Sequence, residues 1–124
     1  MDNQKKFDIY DRVFKFAVRV AKMLKQLQKD TAILEYSRQL IRSSGFIGAN
    51  LAEADGALSK KDFINKMGIA RREAQESHHW LRLISSVVSF DHDFHLGEID
   101  PLVAESKEIM LILSSIVKKA KENH

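Results

Sequence analysis

Apolar side chains in this chain of 124 residues recur at alternating steps of three and four residues through four separate segments. The second segment shows the pattern plainly, with Ile33, Leu40, Ile47 and Leu51 in one row and serines in its remaining places. Because an α-helix has about 3.6 residues per turn, this spacing places each row on one face of a helix. The predicted helices cover about residues 8–28, 32–54, 60–89 and 101–121.

The connections between the predicted helices are short, so consecutive helices are expected to run side by side in opposite directions. The chain has only one proline and five glycines, which argues against an all-β fold with its many turns. The sequence therefore predicts an all-α fold, an antiparallel up-down-up-down four-helix bundle. The bundle is predicted to form a single domain over residues 1–124.

The second helix has predicted signals at both ends and two glycines in its middle. Asp30 offers a side-chain oxygen as an N-cap, and Gly56 is expected to end the helix in the left-handed conformation. A glycine inside a helix costs about 0.5–1 kcal/mol relative to alanine. We therefore expect a neighbouring helix to approach the backbone closely at Gly45 and Gly48.

The third and fourth helices also have predicted starts. Ser59 is expected to cap the third helix with Asp62 as its return partner, while Leu58 and Phe63 form a hydrophobic staple. Asp100 is expected to cap the fourth helix, with the proline that follows it at the first helical position. The sequence thus predicts where each of these helices begins.

Composition excludes several classes of protein. The chain has no cysteine, which excludes disulfides, thiolate zinc sites and a catalytic thiol. No apolar run approaches the roughly 18 residues of a membrane span, and the amino end does not resemble a signal peptide. These features predict a cytoplasmic protein without membrane contact, and no motif indicates a cofactor.

Basic residues are concentrated near the amino end. Residues 1–30 contain eight basic and four acidic side chains, whereas the remaining residues contain 12 basic and 13 acidic ones, so the first segment supplies the net charge of +3. Basic side chains at helical spacing on the first two helices form a candidate nucleic-acid site that would neutralise phosphates. Its members are Lys15, Arg19, Lys22, Arg38 and Arg42. The alternative is an ordinary solvated helix face.

Polar residues near the turn between the second and third helices form a second candidate group. Asn50, Glu53, Arg71 and Glu73 lie beside the apolar rows of these helices. Two carboxylates and an arginine could perform acid–base chemistry, but no nucleophile or cofactor motif accompanies them. A structural polar network that fixes the angle between the helices is the favoured interpretation.

A third group has the composition of a metal site. Imidazole and carboxylate groups suit zinc, nickel or copper, and they cluster in the segment before the fourth helix. The group contains Asp91, His92, Asp93 and His95, with His78 and His79 upstream. Ligands on a flexible connection are weakly pre-organised, so a solvated loop without metal is the favoured interpretation.

The fourth helix has a wider apolar arc than one row requires. Val103, Met110 and Val117 make a second row at steps of seven, as expected of a helix that also contacts other copies of the chain. Trp80 is a candidate for the rim of such a subunit interface or for an anchor of a partner protein.

Four stretches of the chain resemble the signature of a known bacterial family. They are residues 38–54, with Asn50 and Glu53 at the end of a helix, the capping motif of residues 58–63, and residues 69–77 and 80–83. The family consists of four-helix bundle proteins encoded by intervening sequences within bacterial large-subunit (23S) rRNA genes. The accessory variability determinants of diversity-generating retroelements share its fold. The resemblance implies a homopentameric ring, with nucleic-acid binding or the scaffolding of a partner as its role and no established enzymatic activity.

Three functional hypotheses follow. The first is a non-enzymatic homo-oligomer that binds RNA or DNA without sequence specificity or scaffolds a nucleic-acid enzyme. The second is a protein–protein adaptor that does not contact nucleic acid. The third is a metal-dependent enzyme that uses the segment from Asp91 to His95.

Overall fold

The described part of the chain folds into four helices that together account for most of the sequence. The computed structural model describes residues 3–89 and 97–123. The helices are α1 (Asn3–Leu24), α2 (Thr31–Asp55), α3 (Lys60–Val88) and α4 (Ile99–Glu122). No strand occurs in these two ranges, and none of their helices is long and apolar enough to cross a membrane. The all-α fold class is confirmed.

Contacts between side chains show that neighbouring helices run antiparallel. Each helix packs on the next one in the chain, and α4 returns to pack on α1, while the backbones of helices on the diagonal do not approach closely in the described ranges. Arg12 on α1 bonds Glu105 on α4, and Arg19 further along α1 bonds Glu98, the residue just before α4. This arrangement is consistent with the predicted four-helix bundle.

The predicted apolar rows form the core. All four helices contribute side chains with almost no exposed surface. The largest of these are Phe16, Met23, Leu40, Ile47, Leu81, Ile84, Leu102, Ile109 and Leu113. Fully burying one such side chain stabilises the fold by roughly 1.5–3 kcal/mol, so the periodic rows account for most of the packing.

The helix boundaries agree with the predictions at some ends and differ at others. Asp30 caps α2 as predicted, because its Oδ1 accepts a hydrogen bond of 2.9 Å from the amide of Ile33. Gly56 follows the last residue of α2, but its φ of −90° is not left-handed, so that prediction is wrong. The amide of Gly56 instead continues a helical bond to the carbonyl of Ala52, a geometry open to any residue.

The start of α3 is confirmed in part. Ser59 Oγ accepts a hydrogen bond of 3.0 Å from the amide of Asp62, which is the predicted cap. Leu58 is 101% exposed and therefore cannot pack on Phe63, so the predicted staple is wrong. The cap alone marks the beginning of the helix.

Helices α1 and α4 begin before their predicted positions. Helix α4 starts at Ile99, so Asp100 lies in its first turn, where its carboxylate accepts a hydrogen bond of 3.2 Å from Ser85 Oγ instead of capping the helix. Helix α1 ends at Leu24, yet Leu27 in the following connection is still buried. The apolar row therefore extends past the end of the helix.

The extra apolar row of α4 is used within the chain. Val103, Met110 and Val117 are partly buried and pack against the core cluster. Leu111 is the one large apolar side chain of α4 classed as exposed within the described residues, at 52%. The width of the arc therefore does not require a second copy of the chain.

Small residues let α2 and α3 approach closely. The hydroxyl oxygens of Ser43 and Ser77 lie 2.9 Å apart in the buried contact between these helices.

The two glycines in the middle of α2 differ in their surroundings. A Cβ added at Gly48 would lie 3.6 Å from a methyl group of Val13 on α1, an ordinary contact, whereas one added at Gly45 would meet nothing within 4 Å. The predicted close approach is therefore absent at Gly45 within one chain.

Candidate nucleic-acid interface

The predicted basic residues of α1 differ in their partners. Lys15 forms an ion pair of 3.0 Å with Asp11 on its own helix. Arg19 reaches across to the residue just before α4, where its Nη2 lies 2.8 Å from Glu98 Oε1. Lys22 is exposed and has no hydrogen bond or ion pair within the described ranges. Of these three cations, Lys22 alone is free of a carboxylate.

The predicted basic residues of α2 are also paired. Arg38 lies 3.5 Å from Glu35 one turn earlier. Arg42 spans to α3, with its Nη2 lying 3.2 Å from Glu76 Oε2 and its Nη1 lying 3.6 Å from Glu73 Oε2. Its guanidinium also lies 5.6 Å from the centre of the Phe46 ring. Four of the five predicted cations thus already neutralise a carboxylate of the chain.

The four predicted polar residues do not form one network. Asn50 donates to the carbonyl of Phe46 on its own helix, and Glu53 forms an ion pair of 2.8 Å with Lys66. Arg71 and Glu73 are two residues apart, so their side chains leave α3 on different sides. The structure therefore splits the set: Glu53 and Glu73 each join α2 to α3 through a different cation.

Glu73 is the one acidic side chain in the described ranges that is classed as buried, with 9% of its surface exposed. Burial raises the pKa of its carboxyl group above the usual value, and the neighbouring Glu76 carboxylate raises it further. The 3.6 Å contact with Arg42 opposes these effects, but at that distance it is not a hydrogen bond. The carboxyl group is therefore costly to ionise in the folded chain.

The two described histidines have separate environments. His78 Nδ1 lies 3.0 Å from Ser106 Oγ and 3.2 Å from the carbonyl oxygen of Val103, so its ring joins α3 to α4. His79 packs edge-on against Trp80, with ring centres 4.9 Å apart. Within the described part of the chain, no three histidine or acidic side chains are placed to hold a metal ion. Asp91, His92, Asp93 and His95 lie outside that part.

Trp80 belongs to the contact between α2 and α3. Its ring centre lies 5.8 Å from that of Tyr36, and the side chain packs against the core while remaining partly exposed. Its Nε1 is buried without a hydrogen-bond partner in the described ranges. Packing within the chain thus accounts for most of the burial of the Trp80 side chain.

Sequence reasoning missed a row of cations on α3 and α4. Arg71 and Arg82 share one row of α3 with Gln75, His78 and Ser85, at steps of four and three. On α4, Lys107, Lys118 and Lys121 share a row with Leu111 and Ser114 at the same steps. We call these five cations the α3–α4 basic face. Their spacing is visible in the sequence, but only the partners of the acidic residues show which cations are free.

The basic face carries few opposing charges. None of its five cations forms an ion pair or hydrogen bond in residues 3–89 and 97–123. Glu73 and Glu76 of α3 pair with Arg42 on α2. Glu105 of α4 and Glu98, which precedes α4, pair with Arg12 and Arg19 on α1. These acidic side chains therefore lie at the α2–α3 and α1–α4 contacts, away from the basic face.

An exposed apolar surface follows the contact between α1 and α2. Leu34 and Ile41 lie at steps of seven before Gly48, where an added Cβ would lie 3.6 Å from a methyl group of Val13 of α1. Tyr10 and Phe14 flank Val13, with ring centres 6.5 Å apart. Phe14 is 57% exposed and Ile41 54%. We call the following residues the α1–α2 apolar face: Tyr10, Phe14, Val18, Leu34 and Ile41.

Comparison with known proteins places the chain in a family. The profile of the 23S rRNA-intervening sequence protein family matches residues 5–115. A crystal structure of a protein of unknown function from the S23 ribosomal protein family of Bacteroides thetaiotaomicron VPI-5482 is 35% identical in sequence. The alignment covers 92% of this chain and 98% of that chain, with a TM-score of 0.77. No curated protein matches the chain. The extent of the profile match shows that the chain belongs to the 23S rRNA-intervening sequence protein family.

Proposed function

We propose that this chain is a non-enzymatic cytoplasmic protein that binds RNA or DNA without sequence specificity, in an assembly of several copies. The observation that carries the proposal is the set of cations on α3 and α4 that have no carboxylate partner in the described ranges. Cations without an internal partner are available to neutralise phosphates, and each contact releases a counterion. Phosphate contacts carry no sequence information, which supports non-specific binding.

A salt titration tests this function. Fluorescence anisotropy with labelled single-stranded RNA and DNA of mixed sequence should show affinity that falls steeply with salt. For four phosphate contacts, the affinity should drop roughly 50-fold between 50 and 200 mM salt. Binding that is absent at low salt, or unchanged across this range, contradicts the proposal.

The α1–α2 apolar face supports the proposed assembly. Monomeric proteins seldom expose large contiguous apolar patches, and this face adjoins Gly45, where an added Cβ would meet nothing within 4 Å. A second copy seated here would bury the aromatic rings and approach the glycine backbone. The family resemblance implies a homopentamer, and the subunit number is part of the proposal.

Sedimentation of matched variants tests the assembly. Phe14→Glu and Ile41→Glu should each reduce the molecular mass in solution, because a charge would be buried between copies. Leu58→Glu is the control, since this leucine is equally apolar but fully exposed outside the face, and it should leave the mass unchanged. A wild-type chain that sediments at 14.2 kDa contradicts the proposal.

An adaptor role is the second candidate. The same apolar face would then dock a different protein, such as a nucleic-acid enzyme, and the chain would not contact nucleic acid itself. The exposed ring of Phe14 favours it, since aromatic side chains are common anchors at interfaces. A monomeric wild-type chain that fails to bind RNA and DNA at low salt would favour this role over the first.

A further inference from the structure

We propose that the α3–α4 basic face, and not the predicted cations of α1 and α2, is the surface that contacts the phosphodiester backbone of nucleic acid. The inference rests on the proposed function and assigns its site. Arg82, Lys107, Lys118 and Lys121 are exposed, and Arg71 is half-buried. Their long side chains can therefore reach a ligand lying along the outer surface of the two helices.

Two hydrogen bonds show the register between α3 and α4. His78 Nδ1 lies 3.0 Å from Ser106 Oγ, and Ser85 Oγ lies 3.2 Å from Asp100 Oδ1. His78 and Ser85 belong to the row of α3 that contains the arginines. The arginine row therefore runs directly beside α4.

This register makes the cations alternate between the helices. It places Lys107 beside Ser77 and Lys118 beside Lys66. The order along the face is Arg82, Lys107, Arg71, Lys118 and Lys121. Five or six helical residues separate each of the first four levels, which is about 8 Å at 1.5 Å per residue. The whole face extends about 28 Å, the length of roughly eight nucleotides of one strand at 3.4 Å each.

The distribution of carboxylates explains why this face is positive. Glu105 of α4 and Glu98, which precedes α4, bond the arginines of α1. Glu73 and Glu76 of α3 lie next to Arg42 of α2. A polyanion approaching α1 and α2 must compete with these carboxylates for the three arginines, and among the predicted cations there Lys22 is unpaired in the described ranges. On the α3–α4 basic face, Asp100 lies at one end and accepts a hydrogen bond from Ser85. None of the five cations is paired with a carboxylate in residues 3–89 and 97–123, so binding there has the lower cost.

The ligand is therefore a strand held by its phosphates. Side chains between the cations are Gln75, Leu111 and Ser114, none of which offers an aromatic platform for bases. Contacts confined to phosphates predict equal affinity for different sequences of the same length. An oligonucleotide of about twelve residues would cover the face.

Two charge-matched triple variants test the assignment. Arg82→Gln, Lys107→Gln and Lys118→Gln together remove three cations of the basic face. Lys15→Gln, Lys22→Gln and Lys25→Gln remove the same charge from α1. Circular dichroism and sedimentation verify that both variants keep the fold and mass of the wild type. Single-stranded RNA and DNA of twelve nucleotides are the probes, and inorganic polyphosphate is a second probe.

The basic-face variant should bind the oligonucleotides roughly 100-fold more weakly at 0.1 M salt and lower the slope of affinity against salt by about two. The α1 variant should lose less than about threefold. A larger loss of affinity in the α1 variant than in the basic-face variant overturns the assignment but leaves the proposed nucleic-acid binding standing. If the wild type binds polyphosphate through the basic face but not RNA or DNA, the phosphate surface is supported and the proposed function fails. If it binds neither probe, both proposals fail.

Discussion

Arg12 of α1 and Glu105 of α4 form a two-pronged ion pair, with Nε 2.7 Å from Oε2 and Nη2 2.8 Å from Oε1. The pair joins the first helix to the last, and the glutamate is mostly buried. The hydrogen bond from Arg12 lowers the pKa of Glu105 below its usual range, and the same bond raises the pKa of Arg12. Folding therefore favours the ionised pair.

Replacing Glu105 should destabilise the chain in a pH-dependent way. Because its pKa is lower in the folded state, its contribution is complete above the unfolded value of about 4.3. It is lost as pH falls through the folded value. Glu105→Gln should reduce the free energy of unfolding by about 1 kcal/mol at pH 7, a figure that allows for the partial exposure of Arg12. Urea denaturation from pH 7 to 3 should show this difference shrinking.

Glu108→Gln provides the control for this pair. Glu108 is exposed near Arg12 and interacts with it through charge alone, so its replacement should change stability by less than about 0.5 kcal/mol. Equal losses for the two variants would mean that the bidentate geometry contributes nothing.

The contribution of Glu73 to stability should change with pH in the opposite direction to that of Glu105. Burial raises the pKa of Glu73 in the folded state, so its contribution to the free energy of unfolding is most favourable where the carboxyl is protonated in both states, below the unfolded value of about 4.3. It falls as pH rises through the folded value. Glu73→Gln should therefore stabilise the chain at pH 7 by roughly 0.5–1 kcal/mol, with no gain at pH 3. A loss of stability at pH 7 would show that the attraction of Arg42 outweighs burial.

The buried Ser43–Ser77 contact should depend on size more than on its hydrogen bond. One of the two hydroxyls donates its proton to the other. The accepting hydroxyl can then donate to a backbone carbonyl of its own helix, Ser43 to that of Leu40 or Ser77 to that of Glu73. Ser77→Ala should cost about 1 kcal/mol or less, because Ser43 keeps an acceptor. Ser77→Leu should cost roughly 1–3 kcal/mol, since a bulky side chain would push the helices apart. A lower melting temperature for Ser77→Ala than for Ser77→Leu would contradict this explanation.

Two glycines separate helix stability from assembly. Gly45 and Gly68 both lie inside helices with open space around them, so Gly45→Ala and Gly68→Ala should each stabilise their helix by about 0.5–1 kcal/mol. Gly45 adjoins the α1–α2 apolar face, so its replacement should also weaken the assembly of copies. Chemical denaturation and sedimentation measure the two effects. If both variants change the mass equally, the assembly contact does not include Gly45.

Periodicity predicted the fold because burial is decided by spacing that the sequence displays directly. The rows through Phe16, Leu40, Leu81 and Leu102 became the core. Caps that depend on one side chain and its own helix, at Asp30 and Ser59, were equally readable. The staple at Leu58 failed because its contact depends on the path of a connection, which local sequence does not determine.

The candidate site was harder to predict because charge pairing is a long-range property. Arg19 and Arg42 look like free cations in sequence, yet their carboxylate partners are 79 and 34 residues away. Lys107 and Lys118 are unremarkable in sequence and become distinctive only because they have no carboxylate partner in the described ranges, whereas Glu105 of α4 bonds Arg12 of α1. Knowledge of which helices are neighbours was needed to tell paired from unpaired cations.

The uneven packing of α1 has a consequence for local unfolding. Helix α1 contacts α2 and α4 less extensively than α3 contacts those same two helices. Its ion pairs on that side of the fold join Arg12 to Glu105 of α4 and Arg19 to Glu98, which precedes α4. Sub-global opening follows the least buried contacts. Amide hydrogens of α1 should therefore exchange with deuterium sooner than those of α3, because α1 separates while α2, α3 and α4 stay packed together. Copies that pack on α1 would slow this exchange, which ties the lifetime of the native state to the concentration of the chain.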